Sequence, residues 1–324
     1  MPTGSRTPTT WGAFADNPER GMANYATAQE VRSSADLVRR EQRIRTRAGR
    51  DHLLQIYVRA GDLDKTEHAM NSLIASMVWD EARFGLPLDL ERFMIVATSD
   101  FNMGAMENKG LNIFNAKYVF ADPFVATDTD FEWIESIIGH EYFHNWTGNR
   151  ITCRDWFQLC LKEGLTVFRD QQFTADVRSA AVKRIEDVVT LRARQFREDA
   201  GPLAHPPRTD RYDEINNFYT ATVYEKGAEV IGMLKRLVGD DGYRAALDLY
   251  FDRHDGQACT IEDWLKVFED ATGRDLTQFK HWYTDAGTPK LTLAEDWGEG
   301  WTAGTALGAQ QVVAAGHVLT VVWR

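Results

Sequence analysis

The sequence lacks an excess of basic residues. Its 324 residues include 37 lysines and arginines against 48 aspartates and glutamates, which gives a formal net charge of -11. Proteins that bind nucleic-acid backbones without regard to sequence carry a basic stripe or patch, and the sequence shows none. We therefore expect no nucleic-acid partner. The acidic balance chiefly favours solubility and says little about any particular site.

Cysteines and long apolar runs are also scarce. The sequence has only three cysteines, at Cys153, Cys160 and Cys259. Three cysteines are too few for a disulfide framework, and an odd number cannot all pair with one another. The cysteine content therefore indicates a reducing compartment, which we expect to be the cytoplasm. The longest apolar runs, such as residues 93–97 and 312–315, are far shorter than the roughly 20 residues that cross a bilayer. Residues 1–10 are polar and turn-rich, unlike a secretory signal, so we expect no membrane partner.

Apolar residues follow strand and helix periodicities in turn. The first half of the chain predicts strands at residues 52–58, 92–97 and 110–120 and a helix at residues 62–84. From residue 131 the chain is mostly helical. A capping box of Thr129 and Glu132 predicts the start of the first of these helices. A second helix is predicted from near Asp155. Further helices are predicted at about residues 177–196, 221–238, 240–253, 260–271 and 275–284. After residue 287 short alternating runs predict strands again.

Two histidines lie four residues apart around a glutamate. The sequence reads His140-Glu141-Tyr142-Phe143-His144 within a predicted helix. Residues four apart lie on the same helix face, so both imidazoles can converge on one ion at a zinc–nitrogen distance of about 2.0–2.1 Å. The alternative interpretation is a pair of ordinary core or surface histidines.

A third ligand is expected because a catalytic zinc takes three protein ligands and keeps one position open. Glu163 lies on the next predicted helix and interrupts its apolar stripe. The stripe otherwise contains Trp156, Leu159, Cys160 and Val167. Burying a carboxylate without a partner is costly, and a metal ion is one of the few partners that would justify it. The alternative is an ion pair with Lys162 or Arg169.

These residues resemble the zinc signature of the gluzincin aminopeptidases. Glu163 follows the histidine motif after eighteen intervening residues, as in that family. Upstream, the family's exopeptidase motif is matched by Gly104-Ala105-Met106-Glu107-Asn108. Residues 145–150 and 223–227 are most similar to the bacterial aminopeptidase N (alanyl aminopeptidase) branch. The resemblance covers roughly residues 40–290.

The resemblance implies one zinc ion per chain, held by His140, His144 and Glu163. Zinc would lower the pKa of a water molecule and polarise the scissile carbonyl. Glu141, beside the ligands, would take the proton of the attacking water as general base and pass it to the leaving amine. The family role of Tyr224 is to donate its phenolic hydrogen to the tetrahedral oxyanion.

The exopeptidase motif implies recognition of the amino terminus of a peptide substrate. Glu107 would pair with the free α-ammonium, a charge-assisted contact that an internal peptide bond cannot offer. Gly104 and Ala105 are small enough to let the backbone pair with the peptide as an added strand. By resemblance Met103 would contact the first substrate side chain, and a core methionine is the alternative. The substrate-binding candidates are Met103, Gly104, Ala105, Met106, Glu107 and Asn108.

Three more polar residues are candidates for supporting roles. Ligating histidines usually donate their second N–H to a carboxylate or carbonyl, and Asp170 and Asn145 are near enough in sequence to serve. Glu225 would add negative potential near the amine site. An ordinary polar residue of the surface or core remains an equal alternative for each.

The resemblance implies a fold of the α+β class that is mainly α. We expect a thermolysin-like zinc metallopeptidase catalytic domain over residues 39–287, with a small mixed β-sheet and the exopeptidase motif on or beside an edge strand. Residues 1–38 are an unplaced leader. Residues 288–324 are a β-rich tail, read as the start of an incomplete β-sandwich domain.

The leading hypothesis is a monomeric zinc aminopeptidase that removes N-terminal residues from peptides. One alternative is a zinc endopeptidase that uses the same helices. The other is a truncated homologue that binds zinc or peptide with little turnover, because the two short ends are too small for the flanking domains of the family.

Overall fold

The computed structural model describes residues 37–288, together with the backbone of residues 309–314 and 317–322. The predicted leader, apart from its last two residues, lies outside the described residues, and so does the first part of the predicted tail. The chain divides into two compact units, residues 1–142 and 143–324. The domain boundaries expected after residues 38 and 287 stay predictions.

The first unit contains a small mixed sheet, as the sequence predicts. Its strands are β1 (Leu37–Arg45), β2 (Asp51–Arg59), β3 (Arg92–Thr98), β4 (Ala105–Met106) and β5 (Leu111–Asn115), in the spatial order β1-β2-β3-β5-β4. The pairs β2–β3 and β3–β5 are parallel, and the two outer pairs are antiparallel. The exopeptidase motif therefore lies on an edge strand, β4, of the described sheet.

Alternating burial explains where the strands form. Side chains of a strand point to opposite faces in turn, and Leu54, Ile56 and Val58 of β2 are all fully buried on one face. The strand predicted over residues 110–120 is too long, because β5 ends at Asn115. The Asn115 side chain accepts a hydrogen bond from the Lys117 backbone N–H, which starts a short 3₁₀ turn and ends the extended chain.

Two long helices accompany the sheet. They are α1 (Glu67–Phe84) and α2 (Asp128–Phe143), and α1 is preceded by a 3₁₀ turn at Ala60–Thr66. The capping box predicted at Thr129 and Glu132 is wrong by two residues. The Thr127 backbone N–H donates to the Asp130 carboxylate at 2.8 Å, and the Asp130 N–H donates back to the Thr127 hydroxyl at 3.3 Å. The helix therefore begins earlier than the sequence indicates.

The second unit is mainly helical. Its helices are α3 (Leu159–Val177), α4 (Ala180–Thr190), α5 (Phe196–Asp199), α6 (Gly227–His254), α7 (Ile261–Thr272) and α8 (His281–Thr284), with π-helical turns at Leu191–Gln195 and Thr222–Lys226. The short strands β6 (Thr152–Cys153) and β7 (Ala258–Cys259) are parallel, and β8 (Ala309–Ala314) pairs with β9 (His317–Val322) as an antiparallel hairpin. None of the described helices is long and apolar enough to span a membrane.

Most of the predicted helices are present with shifted ends. The break predicted near residue 239 is confirmed, because Gly239 interrupts α6 with a φ of 78°. The helix predicted over residues 275–284 is regular only from His281. Trp156, placed on the buried stripe of α3, is 41% exposed instead. It lies in a 3₁₀ turn capped by Asp155 before α3 begins, so it does not share the face of α3.

An aromatic cluster fills the core of the second unit. Trp264 of α7 is fully buried, and its ring packs edge-on against Tyr250 and Phe268 at centroid distances of 5.0 and 4.7 Å. Its indole N–H donates to the Tyr283 hydroxyl at 3.1 Å. The polar atom of the largest core side chain is therefore satisfied inside the unit.

A contact between two glycines sets the distance between α3 and the start of α6. A Cβ atom added at Gly164 would lie 2.9 Å from the backbone of Gly227, and one added at Gly227 would lie 3.1 Å from Gly164 Cα. No real Cβ tolerates the first distance without a shift of backbone. Glu163 precedes the first glycine and the π-helical turn Thr222–Lys226 precedes the second, so this contact packs the turn against the helix that carries Glu163.

We predict that Gly164→Ala destabilises the chain. The new methyl group must push backbone apart, and such overpacking lowers the free energy of unfolding by about 1–3 kcal/mol. Gly61→Ala is the matched control, because a Cβ at Gly61 meets no atom within 4 Å. Urea denaturation followed by circular dichroism measures both variants, and equal midpoints for the two would contradict the packing argument.

Candidate metal centre

The histidine motif lies where α2 ends. His140 and Glu141 belong to the last turn of α2, and His144 follows its final residue directly. The candidate ligand atoms of His140, His144 and Glu163 all lie within 4.8 Å of one another. Two ligand atoms about 2.0–2.1 Å from a tetrahedral zinc are about 3.3–3.4 Å apart, and His144 Nε2 and Glu163 Oε2 are 3.1 Å apart, close to that separation. The structure thus brings together the three residues that the sequence predicts as metal ligands.

The hydrogen bonds of His144 define its tautomer. Its Nδ1 lies 2.9 Å from the Thr147 carbonyl oxygen, which can only accept. Nδ1 therefore carries a proton, and in the neutral ring the lone pair is on Nε2. This is the tautomer that a metal-ligating imidazole adopts when a carbonyl orients its other nitrogen.

The lone pair of His144 faces a carboxylate oxygen. Its Nε2 lies 3.1 Å from Glu163 Oε2, and the two side chains are only 1% and 3% exposed. Two acceptor atoms at this distance, away from water, repel unless a proton or a cation lies between them. A divalent ion satisfies both lone pairs at once. The donor set therefore fits a metal on an observation that is independent of the sequence motif.

An ion pair accounts for the other oxygen of Glu163. Lys162 Nζ lies 3.0 Å from Glu163 Oε1, so the lysine pairing considered as an alternative to metal binding is present. It occupies a different oxygen from the one that faces His144. Arg169, the other cation considered, donates instead to the Phe143 carbonyl at 2.9 Å and to the Thr147 hydroxyl at 3.0 Å.

Buried polar groups hold the end of α2 in place. Arg169 is fully buried, and its guanidinium also lies 5.0 Å from the Phe143 ring centroid. A cation at the last carbonyls of a helix satisfies them and favours the helix dipole. The Thr166 hydroxyl lies 2.7 Å from the Thr147 hydroxyl and 3.1 Å from His144 Nδ1. These contacts fix the orientation of the imidazole before any ion binds.

Thr147 and Thr166, the partners of His144 Nδ1, are not predicted from the sequence. The predicted supporting residues, Asn145 and Asp170, are both buried, at 2% and 7% exposure. The contacts of His144 Nδ1 are to the Thr147 carbonyl and the Thr166 hydroxyl, and the supporting roles of Asn145 and Asp170 stay predictions. A backbone carbonyl as partner leaves no side-chain signal in a sequence.

A glycine allows the loop after the motif to close over His144. Gly148 has a φ of 149°, and a Cβ there would lie 3.0 Å from both His144 Nδ1 and Lys162 Cγ. Its N–H donates to the Ile151 carbonyl at 2.9 Å. A side chain at this position would press on the ring that the threonines orient.

The exopeptidase segment presents a buried carboxylate. Glu107 is 8% exposed, and its carboxylate, that of Glu141 and a ring nitrogen of His144 lie within 4.8 Å of one another. Met103 is 46% exposed, so the core-methionine alternative is wrong. Asn108 is exposed, and its carbonyl accepts from the Leu111 N–H at 2.9 Å, closing the turn between β4 and β5.

Tyr224 and Glu225 lie on the π-helical turn Thr222–Lys226. Glu225 Oε1 accepts from Arg194 at 3.0 Å. Burial raises the pKa of the Glu225 carboxyl, and Arg194 opposes that shift. The turn adjoins Gly227, whose contact with Gly164 packs it against α3. The oxyanion role of Tyr224 and the electrostatic role of Glu225 stay predictions.

Comparison with known proteins gives one consistent result. Residues 68–283, which include every candidate site residue, match the Peptidase family M1 domain. Aminopeptidase N of Caulobacter vibrioides is 60% identical over 248 residues, which cover 76% of this chain and 29% of that protein. Aminopeptidase N of Escherichia coli is 59% identical over 252 residues, which cover 78% of this chain and 29% of that protein.

A solved structure also resembles the chain. The crystal structure of Legionella pneumophila aminopeptidase A in complex with aspartic acid matches with a TM-score of 0.74 at 32% identity, over 81% of this chain and 30% of that one. The mainly helical α+β fold with a small mixed sheet is thereby confirmed. The chain spans less than a third of the length of these relatives. By the extent of the domain match and the identity to its relatives, the chain belongs to peptidase family M1.

Proposed function

We propose that this chain is a zinc-dependent aminopeptidase, which hydrolyses N-terminal residues from peptides. One observation carries the proposal. His140, His144 and Glu163 present their ligand atoms as one group, and the Nε2 lone pair of His144 faces a buried oxygen of Glu163. Two relatives that are 60% and 59% identical to this chain bear the name Aminopeptidase N.

Zinc is the metal that this donor set favours. Two imidazoles and one carboxylate, with a position left open, are the ligands of catalytic zinc sites. When bound, one zinc ion per chain would lower the pKa of a water molecule and polarise the scissile carbonyl. The second oxygen of Glu163 would remain paired with Lys162, which holds the carboxylate in one orientation.

Glu141 is the general base in this proposal. Its side chain is 7% exposed and projects from the same helix turn as His140. It would take a proton from the attacking water and later deliver that proton to the leaving amine. The Tyr224 phenol, neutral at pH 7, would donate a hydrogen bond to the developing oxyanion.

Glu107 restricts the enzyme to chain ends. Its buried carboxylate would pair with the substrate α-ammonium, which an internal peptide bond lacks. β4, at the edge of the described sheet, would pair with the peptide backbone as an added strand through Gly104, Ala105 and Met106. Met103, exposed just before it, would contact the first side chain of the substrate, with Asn108 closing the segment.

We also propose a cytoplasmic location and a monomeric state. Support comes from the cysteines, since all three are free thiols in the part of the chain that the structure describes. Neither nucleic acid nor a membrane is expected as a partner.

Removing the metal or the base should abolish turnover. We predict that the purified chain hydrolyses alanyl and arginyl anilides, loses this activity to a chelator and regains it with zinc. Glu141→Ala should lower the rate by at least about 100-fold, since general base catalysis contributes on the order of 10²–10⁴. The Glu141→Ala variant should still bind one zinc ion per chain, as measured by inductively coupled plasma mass spectrometry.

Two outcomes separate the parts of this proposal. A wild-type rate equal to that of Glu141→Ala, with zinc still bound, would contradict the enzyme activity and leave a zinc-binding homologue. Activity that survives complete zinc removal would contradict the metal dependence.

Truncating Glu107 should remove end recognition. We predict that Glu107→Ala lowers kcat/KM for aminoacyl anilides. The loss should correspond to about 2–5 kcal/mol of transition-state stabilisation, the usual cost of breaking a buried charge pair. The control is Glu132→Ala, a partly exposed glutamate of α2, which should change the rate by less than about twofold. Cleavage of an N-acetylated peptide by wild type, or an unaffected Glu107→Ala, would indicate an endopeptidase instead.

A further inference from the structure

The turn that carries Tyr224 is an unusual piece of backbone. Thr222–Lys226 is π-helical, and a second π-helical turn, Leu191–Gln195, leads into the short helix that supplies its partners. π-helical turns are rare, and they occur often at functional sites. The residues that contact the turn Thr222–Lys226 therefore determine the position of Tyr224.

Glu198 holds the first residue of the turn. Its Oε2 accepts from both the backbone N–H and the hydroxyl of Thr222, each at 2.7 Å. Thr222 is fully buried, and Gln195 Nε2 reaches its hydroxyl at 3.4 Å. The first N–H groups of a helix lack partners within it, so this carboxylate caps the turn and favours its dipole.

Asp199 holds the last residue of the turn. Its Oδ2 lies 3.0 Å from Lys226 Nζ, and the two side chains are 2% and 10% exposed. Lys226 Nζ also donates to the Gly287 carbonyl at 2.8 Å, and the Thr288 hydroxyl lies 3.2 Å from Asp199 Oδ2. The buried Asp199–Lys226 ion pair, with these additional hydrogen bonds, is favourable in only one geometry, so it holds Lys226 in place.

We propose that Glu198 and Asp199 are positioning residues for Tyr224. Consecutive carboxylates clamp the two ends of a five-residue turn, and Tyr224 occupies its centre. This inference rests on the proposed function, in which the phenol meets the oxyanion. A hydrogen-bond donor contributes fully to catalysis only when it is held in place before the reaction, and a shift of about 1 Å costs on the order of 100-fold.

A double-mutant cycle tests the clamp in the full chain. Tyr224→Phe should lower kcat for alanyl anilide by about 10²–10³-fold, the usual loss for one oxyanion donor. Glu198→Ala should lower kcat by about 10-fold or more with little change in KM. Glu198→Gln keeps an acceptor oxygen and should stay within about threefold of wild type. Placed on Tyr224→Phe, Glu198→Ala should lower kcat by less than about twofold further, because the group that it positions is gone.

Thr222→Val and Thr222→Ser cover the case in which Glu198→Ala fails to fold. The valine is nearly isosteric and removes one of the two hydrogen bonds to Glu198, so it should show the same loss of kcat, smaller in size, and the serine should not. Hydrogen exchange of residues 220–227, followed by mass spectrometry, needs no turnover. The exchange rate of these residues should rise in Glu198→Ala and stay unchanged in Glu198→Gln.

The outcomes distinguish this inference from the proposed function. Losses that multiply in the double mutant, or unchanged exchange and kcat in Glu198→Ala, would overturn the clamp and leave the aminopeptidase proposal standing. Full activity of Tyr224→Phe would overturn the oxyanion role and the clamp together.

Discussion

The meeting of two buried acceptors, His144 Nε2 and Glu163 Oε2, is the constraint on which the site depends. They lie 3.1 Å apart and nearly free of solvent. The Thr147 carbonyl accepts the Nδ1 proton of His144, so the two atoms that face each other need a proton or a cation between them. A cation at this point turns an unfavourable contact into two ligand bonds. The remaining features of the site can be understood as the means of keeping the two acceptors in place.

Two devices hold these acceptors from opposite sides. Arg169 and the threonine hydroxyls fix the end of α2 and the loop that follows it, and with them the ring of His144. The contact between Gly164 and Gly227 fixes α3, which carries Glu163, against the turn of Tyr224. Metal ligand and expected oxyanion donor are therefore linked by backbone contact, which is stiffer than any side-chain contact.

The chemistry of the site could be predicted from the sequence because it depends on spacing. His140 and His144 share a helix face whatever surrounds them, and Glu163 interrupts an apolar stripe. The supporting groups could not be predicted. The partner of His144 is a backbone carbonyl, and the clamp on Tyr224 joins residues 24 to 27 positions apart through a turn type without a sequence signature. The predicted start of α2 and the predicted end of β5 are wrong because of local hydrogen bonds. Asp130, and not Glu132, forms the capping contact of α2, and the Asn115 side chain ends β5 early.

X-ray absorption at the zinc K-edge of the purified chain tests the central claim most directly, because it reports the atoms bound to the metal without requiring turnover. The account predicts one zinc per chain with only nitrogen and oxygen neighbours at about 2.0–2.2 Å, two of them imidazoles, and the loss of one imidazole in His144→Ala. A sulfur neighbour at about 2.3 Å, or the same spectrum in His144→Ala as in wild type, would contradict it.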